Sequence, residues 1–199
     1  MTSFSLPIDT PRLLLRSFQP DDYDALCVYQ PLREVQRYLE IPIRDKADVL
    51  TSLNLMRRQV SLQRPGDTLT LAIVRKHDKR LLGQVSLRWA DATASQGEIR
   101  FALDPRHSGN GYASEAVRAV LDLAFDQFKI HRVSARCDGR NHRSAKLLQK
   151  LGMRLEAHYR EHALFQGEWD EELHFAILDR EWRRSSKVRD LPVNTPRVA

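Results

Sequence analysis

The spacing of hydrophobic residues changes several times along the chain, and each change marks an element. Arg12-Leu13-Leu14-Leu15-Arg16 reads as a short buried strand, and Pro20-Asp21-Asp22 offers a helix start before Tyr23, Leu26 and Tyr29. Between Asp45 and Leu62, residues Val49, Leu53, Met56 and Val60 recur at the spacing of one helical face, and Pro65-Gly66 breaks the chain after it. From Thr68 the period is that of a strand. Leu69, Leu71 and Ile73 alternate with Thr68, Thr70 and Ala72; Val85, Leu87 and Trp89 repeat the pattern; Ile99, Phe101 and Leu103 oppose Glu98 and Arg100. Short turns between these runs predict an antiparallel meander.

Beyond Pro105 the helical period returns. Ala113, Ala116, Val117, Val120, Leu121, Ala124, Phe125 and Phe128 form one stripe, with Glu115, Arg118 and Asp122 outside it. Val133 to Cys137 is then a strand and Asn141 to Leu151 a helix ended by Gly152; two last strands run from Met153 to Phe165 and from Trp169 to Leu178. The helix joining strand 96–103 to strand 133–137 predicts a right-handed parallel crossover. The expected class is therefore α+β, counted as α/β in some schemes. It has a mixed, mostly antiparallel twisted sheet of about seven strands with helices on both faces. Residues 8–182 make one domain. Arg180 to Arg197 holds Pro192 and Pro196 with no apolar period, so 183–199 is expected to be a basic, solvated and disordered tail.

Composition narrows the class further. With 199 residues, 42% hydrophobic and 29% charged, the chain is an ordinary globular protein, not a fibrous or disordered one. No apolar run approaches the roughly 18 residues of a membrane span. Met1 to Pro11 has no basic cluster before an apolar stretch and carries Asp9, which argues against a signal peptide. The expectation is a cytoplasmic protein without a membrane partner. Cys27 and Cys137 match neither a disulfide framework nor a zinc spacing and read as reduced, buried thiols. A formal charge of +6 and a pI near 9.6 should attract polyanions, which include nucleic acid, acidic proteins and phosphorylated cofactors.

The segment Asp104-Pro105-Arg106-His107-Ser108-Gly109-Asn110-Gly111-Tyr112-Ala113 places two glycines where the long helix begins. The first turn of a helix offers unpaired N–H donors and the positive end of the dipole, and glycine lets an anion come close. Ser114 stands where a dinucleotide loop needs its third glycine, and no lysine follows as in a P-loop, so both nucleotide folds fit poorly. Taken alone, Gly109 and Gly111 are equally compatible with a simple turn into the helix.

The surroundings favour the anion site. Several further segments occur in order: Thr10 to Arg16, Gly83, Glu98-Ile99-Arg100-Phe101-Ala102-Leu103-Asp104-Pro105, and Gly109 to Ala116. Asn141-His142-Arg143-Ser144 follows, running on to Lys150-Leu151-Gly152-Met153, and then Gly167-Glu168-Trp169-Asp170. From Thr10 to Trp182 the chain resembles the GCN5-related N-acetyltransferase (GNAT) superfamily, in the branch typified by the ribosomal-protein N-terminal acetyltransferases. The resemblance implies direct acetyl transfer from acetyl-CoA to an amine, with no metal. It seats the pyrophosphate on the amides of Ser108, Gly109, Asn110, Gly111, Tyr112 and Ala113, and lays the pantetheine arm along Phe101, Ala102 and Leu103. Asn141 and Ser144 would bond that arm, and Glu98 matches the carboxylate that serves some relatives as general base, often through water. Two positions depart from the family. Ser108 stands where Arg or Gln is usual, leaving His107 or Arg106 to compensate, and Leu148 stands where many members carry a tyrosine acid. Ser144 is then the residue left to orient or protonate the departing sulfur.

The branch suggests a protein or peptide N-terminus as acceptor, on a monomer or homodimer. Polyamines, aminoglycoside-like amines and a catalytically silent acyl-CoA sensor are the alternatives. An α-amine, with pKa about 7.7 to 8, is already about one-tenth neutral at pH 7, whereas a lysine-like amine near 10.4 is neutral in fewer than about one molecule in a thousand. Trp89, Trp169 and Tyr159 are candidates for either the acceptor cleft or the core. His158-Tyr159-Arg160-Glu161-His162 spells the H-x-x-E-H of some zinc peptidases, but that motif works on a helix. Here alternation predicts a strand, which would hold the histidines about 13 Å apart. The acidic, apolar helix from Ala113 to Phe128 argues against nucleic acid as the primary partner.

Overall fold

The computed structural model describes residues 5–36, 43, 45–165 and 167–189. Strands β1 (Ile8–Asp9), β2 (Leu13–Arg16), β3 (Thr68–Arg75), β4 (Leu81–Asp91), β5 (Gln96–Leu103), β6 (Arg132–Asp138), β7 (Arg154–Phe165) and β8 (Glu168–Leu178) form one sheet. Its order is β1-β2-β3-β4-β5-β6-β8-β7. The helices are α1 (Tyr23–Tyr29), α2 (Arg33–Gln36), α3 (Lys46–Arg58), α4 (Tyr112–Asp126), α5 (His142–Lys150) and α6 (Asp179–Arg189). All strand pairs are antiparallel except β5 with β6, which α4 joins as the expected crossover. The sheet has 8 strands where about seven were expected. The additional one, β1, pairs only Ile8 with Leu15 and Asp9 with Leu14, a length over which no alternation can register.

Helices cover both faces of the sheet, and the alternation along β2 and β3 distributes residues between two cores. Leu13, Leu15, Leu69, Leu71 and Ile73 join the core under α4 and α5, together with Val117, Leu121 and Phe125. Ala72, Val74 and Ala102 join the core under α1 and α3, with Leu26, Tyr29, Leu53 and Met56. Thr70 is thus only 2% exposed, although a half-polar alternation would put it in water. Burying a side chain the size of Leu121 or Phe125 contributes about 1.5 to 3 kcal/mol, so the α4 stripe alone fixes that helix to the sheet. At the start of α3 the Asp45 side chain accepts from the amides of Ala47 and Asp48, a cap that satisfies two otherwise unpaired donors.

The C-terminal expectation needs correction. The expected tail does not begin at 183, because α6 runs from Asp179 to Arg189. Trp182, only 3% exposed, lies 6.3 Å from the Phe125 ring and donates from Nε1 to Asp122 at 2.7 Å. This aromatic anchor, with Arg183 Nη1 donating to Asp126 Oδ1 at 2.9 Å, binds a segment too polar to show a period. Residues 190–199 lie outside the described residues. The H-x-x-E-H segment lies on β7, as its alternation predicted, and among the described residues no helix is long and apolar enough to cross a membrane.

The feature that positions the site is a divergence in the sheet. β5 and β6 pair only from Gln96 with Arg132 to Ile99 with Ala135. Beyond that point β5 continues along β4 through Phe101 with Val85, and β6 continues along β8 through Cys137 with Leu173. A gap therefore opens between Arg100–Leu103 and Arg136–Asp138.

Candidate active site

A cavity of about 1060 Å³ lies at this divergence. Its walls bring together Phe101, Ala102 and Leu103 of β5, Ser108, Gly109, Gly111, Tyr112 and Ala113 of the loop and α4, and Asn141 and Ser144 at the start of α5. Of the residues singled out in the sequence, Asn110 and Glu98 are not among those lining it.

The loop is built to present backbone donors. Gly109 and Gly111 have φ of 83° and 78°, the left-handed region that glycine enters without a Cβ penalty. The Ser108 amide is turned onto the Pro105 carbonyl at 3.1 Å, so the run of available donors begins one residue later than expected. It also extends one residue further. Among the described residues the amides of Gly109, Asn110, Gly111, Tyr112, Ala113 and Ser114 have no protein acceptor, and helical bonding resumes with Glu115 N–H to Gly111 O at 3.1 Å. Consecutive N–H groups at the positive end of a helix bind phosphate oxygens. This fits a pyrophosphate better than it fits a simple turn.

Neither residue suggested as a substitute for the missing arginine at Ser108 offers a free charge. The Arg106 Nε lies 3.0 Å from both carboxylate oxygens of the buried Asp104, which commits the guanidinium to that partner. His107 lines the cavity, and burial pushes its pKa down, which outweighs the attraction of Asp104 and favours the neutral ring.

Asn141 caps α5, its Oδ1 accepting from the Ser144 amide at 3.0 Å, so the cap and the position beside the cavity coexist. Leu148 is fully buried and points into the core, with no access to a cavity ligand. Ser144 sits one turn earlier and lines the cavity.

Glu98 does not face solvent, as an ordinary strand glutamate would. It is 7% exposed, and its carboxylate accepts from Arg100 Nε at 3.0 Å and Arg136 Nε at 2.9 Å. Burial pushes its pKa up, but the two guanidiniums outweigh burial and hold the carboxyl below the ordinary glutamate range. Such a carboxylate is ionised at neutral pH and has little appetite for a proton.

Residues that the sequence alone does not bring together lie on the same face. Arg136 Nη1 is 3.6 Å from Glu172, which is hydrogen-bonded to His174 Nε2 and has His162 Nε2 at 4.0 Å. Tyr159 sets its ring edge-on to His174 at 4.7 Å. The signal available in the sequence was the period of two along β8, which places Glu172 and His174 on one face. What could not be read was the register, Arg136 with His174, that brings them to Glu98's partner. Tyr159 and Trp169 are 45% and 58% exposed, so neither is core, while Trp89 is half-buried against the core.

Comparison with known proteins agrees with this fold. A family model described as the acetyltransferase (GNAT) domain matches residues 12–154. The uncharacterized N-acetyltransferase YnaD of Bacillus subtilis (strain 168) is 27% identical over 175 residues, which cover 88% of this chain and 98% of the relative. A GNAT-family acetyltransferase from Bacillus anthracis superposes with a TM-score of 0.74 at 26% identity, covering 88% of this chain and all 100% of the other. The spermidine N-acetyltransferase of Vibrio cholerae, solved with CoA and spermine, superposes with a TM-score of 0.72 over 87% of this chain and 99% of its own. At 19% identity the latter likeness speaks to the fold alone.

Proposed function

The chain belongs to the acetyltransferase (GNAT) family, and from that premise we propose that it acetylates the α-amine of a peptide or protein N-terminus. Family membership makes it an acetyl-CoA-dependent acyltransferase. The observation that carries the reading is the run of six acceptor-free amides, Gly109 to Ser114 among the described residues, at one end of a cavity that reaches the gap between β5 and β6.

Acetyl-CoA supplies an activated acyl group as a thioester. The loop amides would hold its pyrophosphate, and Phe101 to Leu103 with Asn141 would align the arm beside them. The acceptor nitrogen bonds to the acetyl carbon as the carbon–sulfur bond breaks. Ser144, at the cavity wall, would bond the departing sulfur. A hydroxyl is a weak acid, but a thiol whose pKa is near 8.5 leaves without a full proton transfer. The amine's proton passes through water toward Glu98, the buried anion of that sheet face.

The electrostatics of Glu98 favour the easier nucleophile. A carboxylate held by two guanidiniums removes a proton poorly, so it suits the amine of which the larger fraction is already neutral. Neutralising a lysine-like amine at pH 7 costs about 4 to 5 kcal/mol, against about 1 kcal/mol for an α-amine.

The test is thiol release from acetyl-CoA with short peptides of varied N-terminal residue, polyamines and aminoglycosides, repeated with Glu98→Gln. Turnover of peptides with free α-amines, and slower turnover in the variant, is expected. Turnover of polyamines alone would overturn the acceptor assignment, absence of turnover with every amine would favour an acyl-CoA sensor, and an unchanged rate in Glu98→Gln would remove that residue from the reaction.

A further inference from the structure

The turn between β1 and β2 reaches the anion loop from behind. Arg12 Nη1 donates to the Asn110 carbonyl at 2.9 Å, and its Nε donates to Glu115 Oε2 at 2.7 Å. The Arg12 backbone N–H and the Thr10 hydroxyl both donate to Glu115 Oε1, at 2.8 and 2.7 Å. The guanidinium lies over the Tyr112 ring, 4.7 Å from its centroid. Arg12 is not among the residues lining the cavity, so it backs the loop instead of facing the ligand space.

Two effects on the loop follow. In a trans peptide the carbonyl and the next N–H point in opposite directions within one plane. Pinning the Asn110 carbonyl on Arg12 therefore turns the Gly111 N–H the other way, and that amide has no protein acceptor among the described residues. The second effect concerns charge. Glu115 sits in the first turn of α4, where a bare carboxylate would repel an incoming phosphate. Burial opposes its ionisation, but the bonds from Thr10 and Arg12 outweigh burial and keep it ionised, so Arg12 is also what neutralises it.

We propose that Arg12 is a positioning residue for the acyl donor, aiming the Gly111 amide at the pyrophosphate and cancelling the Glu115 charge beside it. The first strands of the domain thereby leave the start of α4 without an uncompensated negative charge. This rests on the reading of the loop as the pyrophosphate seat, and the experiment separates the two.

Calorimetry with CoA and with pantetheine, which lacks the phosphates, is run on wild type, Arg12→Gln, Arg12→Lys and Arg12→Gln/Glu115→Gln, with melting curves for each. Wild type should bind CoA far more tightly than pantetheine. Arg12→Gln should weaken CoA about ten-fold, the loss of one charge-assisted contact, and leave pantetheine within about two-fold. Lysine keeps the charge with one donor group fewer in reach and should recover part of the loss. The double variant should also regain part of it, because the uncovered carboxylate is gone. If the glutamine variant does not fold, Arg12→Lys carries the same comparison at about three-fold. Equal losses for CoA and pantetheine would mean a merely structural role and overturn the proposal. An undiminished preference for CoA in Arg12→Gln would overturn it while leaving the loop assignment standing. No preference in wild type would sink the loop assignment and the proposal together.

Discussion

Three glycines with the same backbone strain separate the cost of a side chain to the fold from its cost to the ligand. Gly66, Gly109 and Gly111 have φ of 93°, 83° and 78°. A Cβ added at Gly66 or Gly109 meets nothing within 4 Å, and one at Gly111 meets only Arg12 Nη2 at 3.4 Å, the end of a flexible side chain. Alanine at each site therefore costs backbone strain alone. Left-handed backbone costs a non-glycine residue about 1 to 2 kcal/mol, and the stiffer unfolded chain returns about 0.4 to 1 of that. The net loss is about 1 kcal/mol per site, or about 2 to 4 °C in Tm for a domain of this size. Only Gly109 and Gly111 line the cavity. CoA affinity measured by calorimetry should thus fall about ten-fold or more in Gly109→Ala and Gly111→Ala, as phosphate approach to the amides is blocked, and stay at the wild-type value in Gly66→Ala. An equal fall in all three variants would show that strain alone spreads to the ligand, and no fall in any would mean that the loop amides do not touch it. Either result would overturn the separation of fold from ligand at these glycines.

Other consequences are open to measurement. Because the folded-state pKa of Glu98 is held below its unfolded value of about 4.3, its ion pairs stabilise the fold above that pH and lose their effect as pH falls through the folded value. Urea unfolding across pH 2 to 7 should therefore show an acid limb that is flatter in Glu98→Gln, and identical slopes would contradict the assignment. Asp122 behaves oppositely, since burial first and Asp126 second push its pKa up against the hydrogen bond from Trp182. Asp122→Asn, which keeps an oxygen for the Trp182 Nε1, should be more stable at pH 7 by no more than about 1 kcal/mol, with the gain fading at acid pH; destabilisation at pH 7 would contradict this. Trp182→Ala should cost about 3 to 5 kcal/mol in chemical unfolding, and a loss under 1 kcal/mol would mean that α6 does not anchor the domain.

The meander, the long helix and the parallel crossover were legible because their apolar residues keep one period over many positions, as Ala116, Val120 and Leu123 do along α4. The elements missed were short or polar. β1 spans 2 residues, α2 a single turn, and α6 depends on Trp182, which is invisible as a periodic signal. Phe101 to Leu103, the loop glycines, Asn141 and Ser144 of the cavity wall were legible through glycine placement and resemblance, whereas Arg33, Arg140, Arg143, Lys146 and Lys150 beside them, and the state of the charged groups, were not. The burial and pairing of Glu98 were hidden because its partner Arg136 is 38 positions away, and Thr10 and Arg12 gave no hint of Glu115, 105 and 103 positions on. Such contacts depend on tertiary register, which local periodicity does not encode.

The halting pairing of β5 with β6 makes the sheet two unequal ribbons joined along a short hinge of main-chain bonds, with an open lip on either side. An unpaired lip is ordinarily a hazard, since any extended chain can add to it. A slender guest carrying its own amides, as the arm of acetyl-CoA does, would stitch the lips together and complete the fabric. Affinity for the donor and cohesion of the two ribbons would then be one quantity, and a substitution that loosens the hinge would weaken the grip without touching a single ligand atom.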